Sequence, residues 1–191
     1  ALAAPARCFG RHAPLFLEIG IGNGDNLVAM AERRPAADYI GCEVHRPGLG
    51  HTLNAIAARG LRNLRLIEHD AHAVLTALPA QALDGVYLFF PDPWPKKRHL
   101  KRRLLNADFL ALLHTRLKPQ GSFYFATDDT DYAGRALELV SASQDWFNIA
   151  GPAHYAPRPH LRILTRFESR AQRAGRAIRD IIAMPSSRRR D

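Results

Sequence analysis

The sequence predicts an α/β fold: a doubly wound, mostly parallel sheet with helices on both faces, ending in an antiparallel strand pair. Two observations carry that prediction. Apolar runs of strand length alternate with segments of helical period, and the runs are continuous, as in strands covered on both sides. A third feature marks the end of the pattern, where two strand-like runs follow each other without an intervening helix.

In chain order, PLFLEIG (14–20) reads as a strand and DNLVAMAERRP (25–35) as the helix after it. The unit repeats as DYIGCEV (38–44) with GLGHTLNAIAARG (48–60), then NLRLIEHD (63–70) with AHAVLTALP (71–79). LDGVYLFF (83–90) leads through a basic block into helical LLNADFLALLHTRLKP (104–119), and GSFYFATD (121–128) into YAGRALELVSAS (132–143). WFNIAG (146–151) and RILTRFE (162–168) then read as two strands joined by a loop with prolines. Residues 168–184 read as an amphipathic helix, with Phe167, Ala171, Ala174, Ile178, Ile181 and Ile182 on one side and Arg166, Arg170 and Arg173 on the other.

At 191 residues and 47% hydrophobic composition the chain suits one domain over 1–191, with a lead-in over 1–13 and a frayed basic tail over 185–191. It opens on Ala rather than Met, so a native N-terminal piece is expected to be missing. The 27 Lys and Arg against 18 Asp and Glu favour a polyanionic partner. No apolar run has the length of a spanning helix and no signal peptide opens the chain, so a cytoplasmic protein without a membrane partner is expected. Cys8 and Cys42 form no CxxC pair, and His69 and His72 flank Asp70 without a third ligand, so neither a disulfide framework nor a metal site is expected.

In LEIGIGNGDNL, Gly20, Gly22 and Gly24 lie between strand and helix, where glycine permits a tight turn and close approach of a ligand. An ordinary βα turn uses glycine too. What sharpens the motif is a set of acids at the ends of the first three strands, Glu18, Glu43 and Asp70. Glu43 stands at the offset where an acid takes ribose hydroxyls, and Asp70 where an adenine amino edge would lie. Glu18 sits inside the turn, where a pyrophosphate would be repelled and a cation attracted. S-adenosylmethionine, with an ammonium, a sulfonium and no phosphate, fits those charges, so methyl transfer outranks hydride transfer by a nicotinamide cofactor.

FFPDPWPKKRHLKRR (89–103) holds Asp92 between two prolines and follows it with six Lys or Arg in eight residues. Asp92 is read as a pre-oriented carboxylate after the fourth strand, and Trp94 as a base-stacking or core side chain. Lys96, Lys97, Arg98, Lys101, Arg102 and Arg103 read as a phosphate-binding surface that Arg166, Arg170 and Arg173 can extend.

EIGIGNG, GCEVHRPGLG, FPDPWPKKRHLKRR, ATD and TRFESR, in this order between Leu15 and Ile182, resemble the tRNA (guanine-N7)-methyltransferases, a family of class I methyltransferases with a Rossmann-like fold. The first motif is shared by many methyltransferases; PDPWPKKRH and TRFE are specific. The resemblance implies S-adenosylmethionine held by Glu18, Gly20, Gly22, Gly24, Glu43, Asp70 and Asp92, with Asp92 also catalytic. It implies substrate contacts at Lys96, Asp128, Thr165, Arg166, Phe167 and Glu168, and RNA contacts at Arg98, His99, Lys101, Arg102 and Arg103. The implied substrate is guanine 46 of the tRNA variable loop. Departures occur at Ala171, where the family commonly has Gly, at Arg176, where it has His, and at Asp129, where an aromatic often stands. Two other readings remain: methylation of an exocyclic base amine, and a non-catalytic RNA-binding subunit. The sequence leaves open whether a second copy or an accessory subunit is required.

Overall fold

The computed structural model describes residues 4–186. A short helix α1 (Pro5–Phe9) leads to β1 (Leu15–Ile19), α2 (Asp25–Arg33), β2 (Asp38–Glu43), α3 (Arg46–Arg59), β3 (Leu64–Glu68) and α4 (Ala71–Ala77). Then follow β4 (Leu83–Phe89), a 3-10 turn (Lys97–Arg102), α5 (Ala107–Arg116), β5 (Leu117–Thr127), α6 (Thr130–Ala142), β6 (Trp146–Asn148), α7 (Arg166–Arg173) and β7 (Arg179–Pro185). The sheet order is β3-β2-β1-β4-β5-β7-β6. β1 to β5 pair in parallel, and β7 runs antiparallel to both β5 and β6.

The two-sided burial read from the apolar runs is visible in β1. Leu15, Leu17 and Ile19 enter one core layer with Phe109, Phe123 and Tyr132, while Phe16 enters the other with Leu27, Tyr39 and Tyr87. Period-two alternation sends the side chains to opposite faces, and α4, α5 and α6 cover the first face while α2 and α3 cover the second. Each fully buried Leu of this kind is worth about 1.5–3 kcal/mol of transfer free energy. After β3 the chain crosses to the far side of β1 to form β4, so a topological switch point lies between β1 and β4 at the carboxyl edge.

Side chains set where the helices start. Asp70 accepts from Ala73 N at the start of α4, Asn106 from Phe109 N at α5, Asp129 from Tyr132 N at α6 and Thr165 from Glu168 N at α7. No helix among the described residues is long and apolar enough to cross a membrane.

The C-terminal third corrects the sequence expectation in two places. RILTRFE is no strand: Leu164 is in a loop, Thr165 caps a helix, and α7 occupies Arg166–Arg173. The helix expected over 168–184 stops at Arg173 because Gly175 takes a left-handed φ of 69°, and Ile181 and Ile182 belong to β7. The antiparallel pair therefore consists of β6 and β7. Of the tail expected to fray from 185, Pro185 pairs with Trp146 and the Ser186 N–H donates to Asp145 O, while 187–191 lie outside the described residues.

Candidate functional site

Two adjoining cavities, about 320 and 390 Å³, open at the carboxyl edge and share Gly20 and Phe90 in their walls. The first is lined by Glu18, the glycine turn, Asn26, Phe89, Arg162 and Thr165 to Phe167. The second is lined by Glu43, Val44, Asp70, Asp92, Trp94 and Arg102. Glu18, Glu43, Asp70 and Asp92, spread over 75 positions of sequence, thus meet at the switch point.

Gly20, Gly22 and Gly24 all adopt left-handed φ, 70°, 55° and 75°. At Gly20 and Gly22 a Cβ would enter open space, so backbone conformation, and the room it leaves in front of the peptide, accounts for glycine there. The Glu43 carboxylate secures the turn: one oxygen accepts from Gly22 N at 2.9 Å, the other from Val44 N and His45 N.

Glu18 is 4% exposed and accepts one hydrogen bond, from Asn26 Nδ2 at 3.1 Å. Burial raises its pKa to about 8, against the lowering effect of Asn26. Among the described residues no cation is paired with it, so a cationic ligand in the first cavity would find an acid in need of one. Asp70 is pulled the other way, its pKa lowered chiefly by the Ala73 N–H and also by His69. Burial pushes the Cys42 thiol, in the wall of the second cavity, up to about 12, which keeps it neutral.

Asp92 is exposed at the cavity, and its carboxylate has no protein partner among the described residues. The residues on either side are strained: Phe90 and Trp94 hold φ of 52° and 43°, each a conformation costing about 1–3 kcal/mol in a non-glycine residue. Trp94 packs against the 3-10 turn, with the Arg102 guanidinium 4.9 Å from its ring centroid and the His99 ring at 5.7 Å. Lys96, Lys97, Arg98, Lys101 and Arg102 are exposed.

The structure separates other expected site residues. Arg103 is 5% exposed and points inward, so it is no part of the cationic surface. Glu168 is fully buried and receives Arg158 at 2.9 Å and Arg162 at 2.6 Å; it braces the segment from within and does not face the cavity. Thr165 lines the first cavity but spends its hydroxyl on the α7 cap. Arg166 and Phe167 line the first cavity, where Phe167 is 50% exposed with its ring 5.3 Å from that of Phe90. Asp128 is held at 2.7 Å by Arg176, one of the departure positions.

Three participants escape the sequence. Asn26 joins Glu18 to the far segment by accepting from Ile163 N at 3.0 Å. Arg162, 1% exposed, pairs with Asp180 and Glu168 and lies 5.3 Å from the Phe90 ring centroid. Val44 lines the second cavity beside Glu43. The signal available for Arg162 was Asp180, an acid set among Ile178, Ile181 and Ile182. Among the described residues no group of His, Cys, Asp and Glu is arranged to hold a metal ion.

Residues 12–181 match the family described as "Putative methyltransferase". A tRNA (guanine-N(7)-)-methyltransferase of Nitrosomonas eutropha is 51% identical over 175 residues, 91% of this chain and 77% of that protein. One from Nitrosospira multiformis is 50% identical over 175 residues, 91% and 76% of the two chains. Among solved structures, the 16S rRNA methyltransferase KamB superposes with a TM-score of 0.68 at 16% identity over 97% of this chain and 94% of its own, a likeness of fold.

Proposed function

Because the chain belongs to the tRNA (guanine-N7)-methyltransferase family, we propose that it methylates guanine N7 in tRNA, at position 46 of the variable loop, with S-adenosylmethionine as donor. The observation that carries the reading is the meeting of four acids at one glycine turn: Glu43, Asp70 and Asp92 in one cavity, and Glu18 in its neighbour across Gly20 and Phe90. A phosphate-bearing cofactor is repelled by the carboxylates of Glu43, Asp70 and Asp92, and a cationic one is drawn to them and can displace the proton that burial keeps on Glu18.

The donor supplies a methyl group on a sulfonium centre. Glu18 is placed to hold the ammonium, Glu43 the ribose through the lone pair that Gly22, Val44 and His45 leave free, and Asp70 the adenine side. Guanine N7 has a lone pair and no proton to lose, so the protein is asked for alignment and not for a general base. Good alignment is worth about 7–11 kcal/mol in favourable intramolecular cases. Asp92 holds the guanine edge and balances the positive charge that appears on the methylated ring. Its strained, proline-bracketed setting keeps the carboxylate pre-oriented.

RNA is held on two sides of the cavities. The 3-10 turn offers Lys97, Arg98, Lys101 and Arg102, with Lys96 at its cap; α7 offers Arg166, Arg170 and Arg173, all exposed. Phe167 closes the rim, and Asp128 reaches substrate only if Arg176 yields. Asp92→Asn tests the assignment: donor affinity stays near wild type while single-turnover methyl transfer falls about 10²-fold. Full turnover in that variant overturns it.

A further inference from the structure

Arg103 closes the run of cations after Asp92, yet its guanidinium turns away from solvent. We propose that Arg103 is a positioning residue for Asp92, fixing the loop that presents the carboxylate, and that it takes no part in holding RNA. The inference rests on the role given to Asp92 above.

The segment from Phe90 to Trp94 has few handles. Pro91 and Pro93 carry no N–H, and Phe90 and Trp94 are in left-handed conformations that the chain would leave if released. The Phe90 N–H pins one end to Ala126 O at 2.7 Å. The other end is pinned by Arg103, whose Nε donates to Pro93 O at 2.7 Å, one residue beyond Asp92.

Arg103 is itself held from the opposite side. Its Nη1 donates to Asp131 Oδ2 at 2.7 Å, its Nη2 stands 3.7 Å from Asp129 Oδ1, and its guanidinium lies 4.6 Å from the Tyr132 ring centroid. The first turn of α6 supplies all three contacts. That turn is secured by the Asp129 cap on Tyr132 N and by the Tyr132 hydroxyl, which accepts from Leu105 N at 3.0 Å. The α6 helix follows β5 directly, so Arg103 transmits the position of the sheet edge to Pro93. The contacts need a flat cation with donors on several sides; an ammonium satisfies one of them.

Arg103→Lys and Asp131→Asn test the assignment, with Asp92→Asn alongside, all in the full chain. Asp131 is 60% exposed, so its amide variant leaves the fold intact. The readouts are single-turnover methyl transfer to unmodified tRNA at saturating donor, donor affinity, and tRNA affinity against salt. Arg103→Lys should lower the rate about 10²-fold with both affinities and the salt slope unchanged. Asp131→Asn should lower it in the same direction by less, and the double variant should be no slower than Arg103→Lys alone. Weaker tRNA binding with a shallower salt slope in Arg103→Lys would make the residue a phosphate contact and overturn the proposal. Wild-type rates in both Arg103→Lys and Asp131→Asn beside a slow Asp92→Asn overturn it too, while a fast Asp92→Asn overturns the role of Asp92 itself. Should Arg103→Lys fail to fold, the rate of Asp131→Asn decides by the same criteria.

Discussion

Asn26 donates to the Glu18 carboxylate at 3.1 Å in a site where burial has raised the acid to about 8. Near pH 7 the free protein therefore holds a proton on Glu18 that the unfolded chain, with its acid near 4.5, does not. The sign follows: stability of the free protein falls as pH rises from about 4.5 to about 8, because the folded state binds the proton more tightly. An ammonium partner requires the carboxylate form. Donor binding at pH 7 should release about one proton, read by calorimetry in buffers of different ionisation enthalpy. Glu18→Gln should remove both the release and the pH slope; binding without proton release in the unaltered protein contradicts the assignment.

The Arg162 network predicts a stability effect of a different kind. Arg162 Nη2 reaches both oxygens of Asp180 at 2.9 and 2.8 Å, and its removal would leave Asp180 and Glu168 buried without it. Losing one partner of a buried ion pair costs about 3–5 kcal/mol, so Arg162→Met should be destabilised by that order in urea unfolding. Burial already raises the Asp180 pKa against the pull of Arg162. A raised acid loses stability as pH rises, and loss of Arg162 raises Asp180 further, so the deficit should grow with pH. A deficit independent of pH would contradict this reading.

Gly48 supports the glycine turn from behind. A Cβ there would stand 2.1 Å from the Gly22 carbonyl oxygen, a backbone atom that can yield only by moving the turn. Overpacking of this sort costs about 1–3 kcal/mol, and Gly48→Ala should weaken donor binding about tenfold or more. Gly50→Ala, whose Cβ meets nothing within 4 Å on the same helix, is the control and should bind normally. Equal affinities in the two variants would contradict the coupling.

RNA affinity should depend steeply on salt. Arg98→Ala, Arg170→Ala and Arg173→Ala should each lessen the log–log salt slope by about 0.7–0.9 and weaken different tRNA sequences alike. Equilibrium binding across a salt series checks this, and an unchanged slope in all three removes both basic surfaces from the interface.

The alternating strands and helices were legible because strands buried on both faces leave continuous apolar runs, as β1 and β4 do. Glu18, Glu43, Asp70 and Asp92 were legible because parallel strands deliver such residues to one edge. The last strand was not. Ile178, Ile181 and Ile182 share a helical face by spacing, but Gly175 stops the helix, and Ile181 and Ile182 serve β7 through pairing with β5, a contact far away in sequence. Gly175 was the available sign. The burial of Arg103 was not legible for a similar reason: within a block of cations it depends on Asp131 and Tyr132 of α6, which local composition does not register. Asn26 links positions 137 residues apart and leaves no local trace.

The central claim is transfer of a methyl group to guanine N7 of tRNA. The direct measurement is incorporation of labelled methyl from S-adenosylmethionine into unmodified tRNA, followed by borohydride reduction and aniline cleavage, which cuts the strand at 7-methylguanosine. Incorporation with a single cut in the variable loop is the predicted result. Incorporation without a cut would contradict the account and move the reaction to an exocyclic amine.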